Sequence, residues 1–122
     1  MSDEPFQRGD VVWHPAPFKP GSPERPYVVL TDSEHPFYGD EYGVAALTRT
    51  NRPPAVELPP EAWELGAPNG ENYASPWYVS TLKHHDISRP KGRLTDEAMA
   101  RITRRVGEVL GVFAYENRSN GC

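Results

Sequence analysis

Fourteen prolines set the first limit on what this chain can become. They concentrate in residues 15–26, 53–60 and 68–76, and the apolar runs fall between those stretches. Proline fixes its own backbone angle, lacks the N–H that a helix or a sheet consumes, and pushes the preceding residue toward extended geometry. Spread evenly, so many prolines would suggest disorder. Clustered between short apolar runs, they read as stiffened loops joining short strands.

The clearest of those runs is Arg25-Pro26-Tyr27-Val28-Val29-Leu30. Aromatic and β-branched residues follow the proline, and Thr31-Asp32-Ser33 closes the run with turn chemistry. This is a buried strand entered through an Arg-Pro step, with Arg25 extended at its rim. An earlier strand is expected at Val11–His14, introduced by Arg8-Gly9-Asp10, and later ones at Tyr42–Thr48, Ala55–Leu58 and Ser75–Leu82. Between the last two, Pro59–Gly66 suggests a single helical turn. Residues 95–110 form the amphipathic helix. Thr95 is suited to cap it, Asp96 and Glu97 sit in the first turn, and Gly111 stops it. Its apolar stripe is Ala98, Ile102, Val106, Val109 and Leu110. Five strands and a late helix predict a small, strongly bent sheet or barrel with the helix as a plug.

At 122 residues the chain is sized for one domain, placed at residues 8–115 between flexible ends at 1–7 and 116–122. No apolar run is long enough to span a bilayer, and the acidic start has no signal-peptide core. The only cysteine is Cys122, so no intrachain disulfide can form. These features point to a reduced, cytoplasmic setting away from membranes. The net charge of −4 and pI near 5.5 do not mark a nucleic-acid binder, but residues 83–105 carry most of the positive charge. The histidines lack metal-ligand spacing with carboxylates, and neither metal nor cofactor is expected.

Several segments, in order, resemble the PemK/MazF family of toxins from type II toxin–antitoxin pairs. They are Arg8–Trp13, Arg25–Leu30, Val44–Thr48, Ser75–Lys83 and the Leu94–Gly111 helix. The resemblance implies a mainly β fold, an SH3-like small β-barrel with a C-terminal amphipathic helix. It implies a homodimer that cuts single-stranded RNA as a metal-independent endoribonuclease (an mRNA interferase). The partner it implies is a cognate antitoxin that blocks the RNA groove with an acidic segment. It also assigns roles: the arginine of the Arg-Pro segment and the hydroxyl closing the third strand are active-site groups, here Arg25 and Thr48.

The chemistry fits those residue types. A ribose 2′-hydroxyl attacks its own adjacent phosphate, so the protein must hold that geometry and stabilise charge gathering on the phosphoryl oxygens. A guanidinium offers a permanent charge and a planar fork, and a threonine hydroxyl can donate to a further oxygen. Weaker RNA-binding candidates are Lys83, His84, Phe18 and Arg49. His14, His84 and His85 are possible proton carriers. Phe18, Phe37 and Tyr38 lie in loops where bases could stack, whereas Trp13 and Trp77 are expected in the core. The loop Gly21-Ser22-Pro23-Glu24 is shorter and stiffer than is usual in the family, and Ser80-Thr81 replaces a usual acidic–glutamine pair. Those departures suit an alternative, a non-catalytic barrel of the same fold that binds a protein partner or nucleic acid.

Overall fold

The computed structural model describes residues 4–15, 24–66 and 70–112. Among them, β1 (Asp10–Pro15), β2 (Glu24–Val29), β3 (Glu41–Thr48), β4 (Val56–Glu57), β5 (Trp63–Leu65), β6 (Tyr73–Lys83) and β7 (Arg89–Leu94) make one sheet, followed by α1 (Asp96–Leu110). The order across the sheet is β4-β6-β3-β2-β1-β7-β5. Every neighbouring pair is antiparallel.

That order forces the sheet to curl. β4 and β5 occupy opposite edges, yet only residues 58–62 lie between them in the chain. Flat strands spaced by about 4.8 Å would hold those edges roughly 29 Å apart. The link can reach only about 20 Å fully extended, and Pro60–Ala62 shortens it further by coiling into a 3-10 turn. The result is a curled antiparallel half-barrel, mostly β, with one C-terminal helix.

Both faces of the central strands are buried, so Tyr27, Val28 and Val29 are all fully enclosed. On the inner face Val11, Val28, Ala45 and Leu47 pack with the helix residues Met99 and Ile102. On the outer face Val12, Tyr27, Val29 and Val44 pack with Leu82 and Ile87, and Phe6 and Tyr78 close over part of them. A strand covered on both sides needs no alternation, which is why the Tyr27-Val28-Val29 run is continuous.

The helix begins where the sequence places it. The Thr95 hydroxyl accepts from the Ala98 N–H at 3.2 Å, and Gly111 ends the helix at φ 82°. Its buried stripe is Ala98, Met99, Ile102 and Val106. The expected continuation through Val109 and Leu110 is not buried: they are 40% and 66% exposed. Arg8 ties this helix to the sheet, its guanidinium donating to the Leu30 carbonyl and to the Thr103 hydroxyl, each at 2.7 Å.

Two strands escape a reading by pattern. β5 follows the 3-10 turn inside the segment expected to be one helical turn. β7, Arg-Pro-Lys-Gly-Arg-Leu, has neither alternation nor β-rich composition, and it exists because β1 and β5 supply its partners. β5 and β7 approach closely at a pair of glycines. A Cβ on Gly92 would lie 2.5 Å from the Leu65 carbonyl oxygen, and one on Gly66 would lie 2.4 Å from that of Lys91. Backbone cannot yield there as a side-chain tip can. Gly92→Ala is therefore expected to cost on the order of 1–3 kcal/mol, seen as a lower urea midpoint at unchanged slope.

Candidate functional site

β1, β2 and β3 bring one set of strand ends together. The β1–β2 ladder pairs His14 with Arg25, and the β2–β3 ladder pairs Tyr27 with Ala46. That second ladder ends at the Tyr27–Ala46 pair, and Arg25 and Thr48 each lie two residues beyond it on their own strands. Opposed residues on antiparallel strands share a face, so His14, Arg25 and Thr48 lie on the outer face with Tyr27. Pro26 holds the chain extended behind Arg25. Arg25 is exposed and Thr48 half-buried, while His14 is 8% exposed with its ring edge-on to Tyr27.

The Arg25 charge is not quenched by its neighbour. Glu24 precedes it, but strand alternation turns Glu24 to the inner face, where it pairs with Arg89 at 3.3 Å. Among the described residues Arg25 forms no ion pair. The Thr48 hydroxyl accepts from the Thr50 N–H at 3.2 Å, the turn-closing role open to any hydroxyl at a strand end. Because it accepts there, its own proton remains available to a second acceptor.

Beneath Arg25 lies the buried Tyr27 phenol, whose oxygen has no hydrogen-bond partner of ordinary geometry among the described residues. Burial first, and the adjoining Tyr78 phenol second, push its pKa up to about 12 against the opposing pull of Arg25.

The other expected site residues are spread more widely. Arg49 is exposed in the bend that follows Thr48 at the same strand ends. Lys83 is paired with Glu41, at the end of the β3–β6 ladder opposite to the Thr48–Tyr73 pair. Along β3 the two ends are about 23 Å apart, so one binding point for a phosphate cannot include both Lys83 and Thr48. His84 lies beyond Lys83, where its Nδ1 meets the Tyr42 hydroxyl at 2.7 Å and its ring lies against Phe6. The Phe6 N–H donates to the same Tyr42 oxygen, so His84 is held in a packed polar cluster. His85 is exposed beside Asp86. Phe37 and Tyr38 belong to the turn leading into β3, also at the far end. Phe18 and the loop at residues 21–23 lie outside the described residues.

The sequence reading needs two changes for the tryptophans. Trp77 is 37% exposed with the Arg52 guanidinium over its ring, rather than in the core. Trp13 is half-buried under two cations, Arg89 and Lys91. The tryptophan that does enter the core is Trp63. A cavity of about 870 Å³ is lined by Phe6, His84, Ile87, Pro90 and Arg93 among others, and neither Arg25 nor Thr48 borders it. Volume alone is a poor guide here, since a polymer backbone is held on an open surface rather than enclosed. Among the described residues no group of three or more His, Cys, Asp or Glu side chains is arranged to hold a metal. No helix among them is long and apolar enough to cross a membrane.

The family model of the PemK-like, MazF-like toxins of type II toxin–antitoxin systems matches residues 7–110, and the chain belongs to that family. No curated protein sequence matches it. Among solved structures, it resembles an endoribonuclease in complex with its cognate antitoxin from a mycobacterial species, with TM-score 0.69 and 18% identity over 88% of this chain and 95% of that one. It is similar to the Deinococcus radiodurans MazE–MazF structure, with TM-score 0.67 and 19% identity over 88% and 97%. It also resembles the Mycobacterium tuberculosis toxin MazF-mt6, with TM-score 0.62 and 21% identity over 83% and 95%. At such identities the likeness is one of fold.

The buried phenol gives a measurable signature. A tyrosine whose folded pKa is raised holds its proton more tightly folded than unfolded, so its contribution is intact below pH 10 and is lost as pH rises toward 12. Tyr27→Phe removes both that titration and an unpartnered buried hydroxyl. In chemical unfolding, the stability of Tyr27→Phe relative to the parent should be level or higher at pH 7. It should climb further between pH 10 and 12; a flat difference across that range would contradict the assignment.

Proposed function

We propose that this protein is a toxin-type endoribonuclease that cuts single-stranded RNA without a metal. The observation that supports this reading is that Arg25 and Thr48 stand on the same face at neighbouring strand ends, with no carboxylate paired to the arginine among the described residues. The 2′-hydroxyl loses its proton to solvent as its oxygen attacks the adjacent phosphorus, the bond from phosphorus to the 5′-oxygen breaks, and the departing oxygen takes up a proton from solvent, so no net proton is consumed. The products are a 2′,3′-cyclic phosphate and a 5′-hydroxyl. Arg25 forks across two phosphoryl oxygens as charge gathers on them, and Thr48 donates its remaining proton to the phosphate. Both groups are fixed by strands, so little reorganisation is needed at the moment of reaction.

Endoribonuclease and antitoxin are the words attached to the structural relatives, which supports this reading along with the family. The protein would act in the cytoplasm as a homodimer, restrained by an antitoxin whose acidic segment docks on the same basic strand ends. A second reading, a binding module of this fold without catalysis, draws on the bond that engages Thr48 in its turn.

One experiment separates the two. Purified protein incubated with a long single-stranded RNA in excess EDTA should produce fragments ending in 2′,3′-cyclic phosphate. Arg25→Ala should abolish this with its melting transition intact, and Thr48→Val should slow it about 100–1000-fold. Binding without scission by the parent protein would favour the module, and scission only with added divalent metal would overturn the mechanism.

A further inference from the structure

The inner face of the same strand ends carries a second group of cations that the cleavage chemistry does not use. Trp13 lies under both Arg89 and Lys91, with the guanidinium carbon 5.1 Å and the ammonium 4.6 Å from the ring centre. Each contact is within cation–π range and favours a defined position for a side chain that would otherwise be mobile. Arg49 is close enough to Lys91 for its charge to act on the ammonium, and its guanidinium lies 3.1 Å from where a Cβ on Gly70 would be.

A β-bulge produces this arrangement. Gly92 pairs with Val11 and Pro90 with Val12, so Lys91 is the extra residue of β7. In a regular strand Arg89, Lys91 and Arg93 would point the same way. The bulge breaks that alternation: Arg89 and Lys91 turn onto Trp13, and Arg93 turns to the other face, where it donates to Asp10 at 2.8 Å. Arg93 is thereby neutralised within the fold. Among the described residues Lys91 and Arg49 form no ion pair, and Glu24 answers Arg89 alone.

Three cations held together with a single carboxylate among them are unfavourable for the unliganded fold. Partial burial, then Arg49 and then Arg89, lower the pKa of Lys91. A bound anion would relieve that strain.

We propose that Arg49, Lys91 and Arg89, with Trp13 as their positioning residue, form a cradle for backbone phosphates of the single-stranded RNA flanking the cleaved bond. The strand would cross the sheet's end, from Arg25 and Thr48 on the outer face to this cradle on the inner face. Arg49, in the bend just past Thr48, lies between the two. The cradle reads phosphate rather than base, because the Trp13 ring is already occupied by cations and is not free to stack. This deepens the RNA reading above and rests on it.

Binding of a mixed-sequence, fully 2′-O-methylated oligoribonucleotide tests the cradle without cleavage, since that RNA lacks the attacking hydroxyl. Affinity is measured across a salt series by fluorescence anisotropy. Each phosphate contact to single-stranded nucleic acid contributes about 0.7 to the slope of log affinity against log salt. Lys91→Ala and Arg49→Ala should each flatten the slope by about that amount, and Lys91→Arg should restore it. Trp13→Ala should weaken binding, while cleavage of natural RNA by Lys91→Ala should show a raised KM at nearly unchanged kcat. Thermal melts establish that each variant is folded. An unchanged slope in folded Lys91→Ala and Arg49→Ala overturns the cradle. So does loss of binding to a poly-glutamate peptide with RNA binding intact, which would assign these cations to an acidic protein segment. Failure of the parent to cleave RNA that it nonetheless binds with the expected slopes would remove the nuclease and leave the cradle.

Discussion

The rest of the molecule depends on the need to bury a small sheet on both faces with a chain of 122 residues. Val28 faces inward and Tyr27 outward, and both are fully enclosed. The inner side is covered by curling the sheet and laying α1 against it. The outer side is covered by residues around Phe6 and by the segment carrying Ile87, which returns across the sheet from β6 to β7. Apolar burial is worth about 25 cal/mol per Å², so the central strands gain most where both covers overlap. At the ends of β1, β2 and β3 the apolar clusters give way to Trp13, Arg25, Thr48 and Arg49, and polar and charged residues can be presented from rigid backbone.

That location also resolves the mismatch between overall and local charge. A protein with a net charge of −4 gains no general attraction for RNA. Screening limits the reach of its acidic residues to about 8–10 Å at physiological salt, so affinity is decided by what lies next to each phosphate. Three of the acidic groups are engaged in ion pairs: Asp10 with Arg93, Glu108 with Arg104 and Arg105 along the helix, and Glu24 with Arg89. The exposed ion pairs are individually worth little to stability, but they determine which cations remain unneutralised.

Legibility followed how local each cause is. The β2 strand, the Thr95 cap and the Gly111 stop depend on residues adjacent in sequence, and all three are where the sequence puts them. β5 and β7 depend on partners distant in the chain, and β7 carries a proline, a glycine and a bulge that erase its alternation. Val109 and Leu110 continue the helical period but are exposed, since periodicity alone does not settle burial. For the site, Arg25 and Thr48 could be named from the family resemblance, and their place on one face at neighbouring strand ends comes from register. The division of Arg89, Lys91 and Arg93 between two faces could not be anticipated, because a bulge is invisible until the pairing is known.

Alternation also explains how Arg25 can stay charged and unpaired beside a glutamate. In a helix or a loose loop, a neighbouring carboxylate could swing onto the guanidinium at little cost. In an extended strand, consecutive side chains leave on opposite faces, and the sheet itself separates them. Glu24 is held further by Arg89 on the inner side. Pro26 reinforces this by denying Arg25 the helical region of backbone space. The Glu-Arg-Pro order therefore places a negative charge one residue from the candidate catalytic cation while keeping it on the far side of the sheet. Inserting or deleting one residue at this point would reverse both faces at once, turning the carboxylate toward the phosphate and the guanidinium toward Trp13.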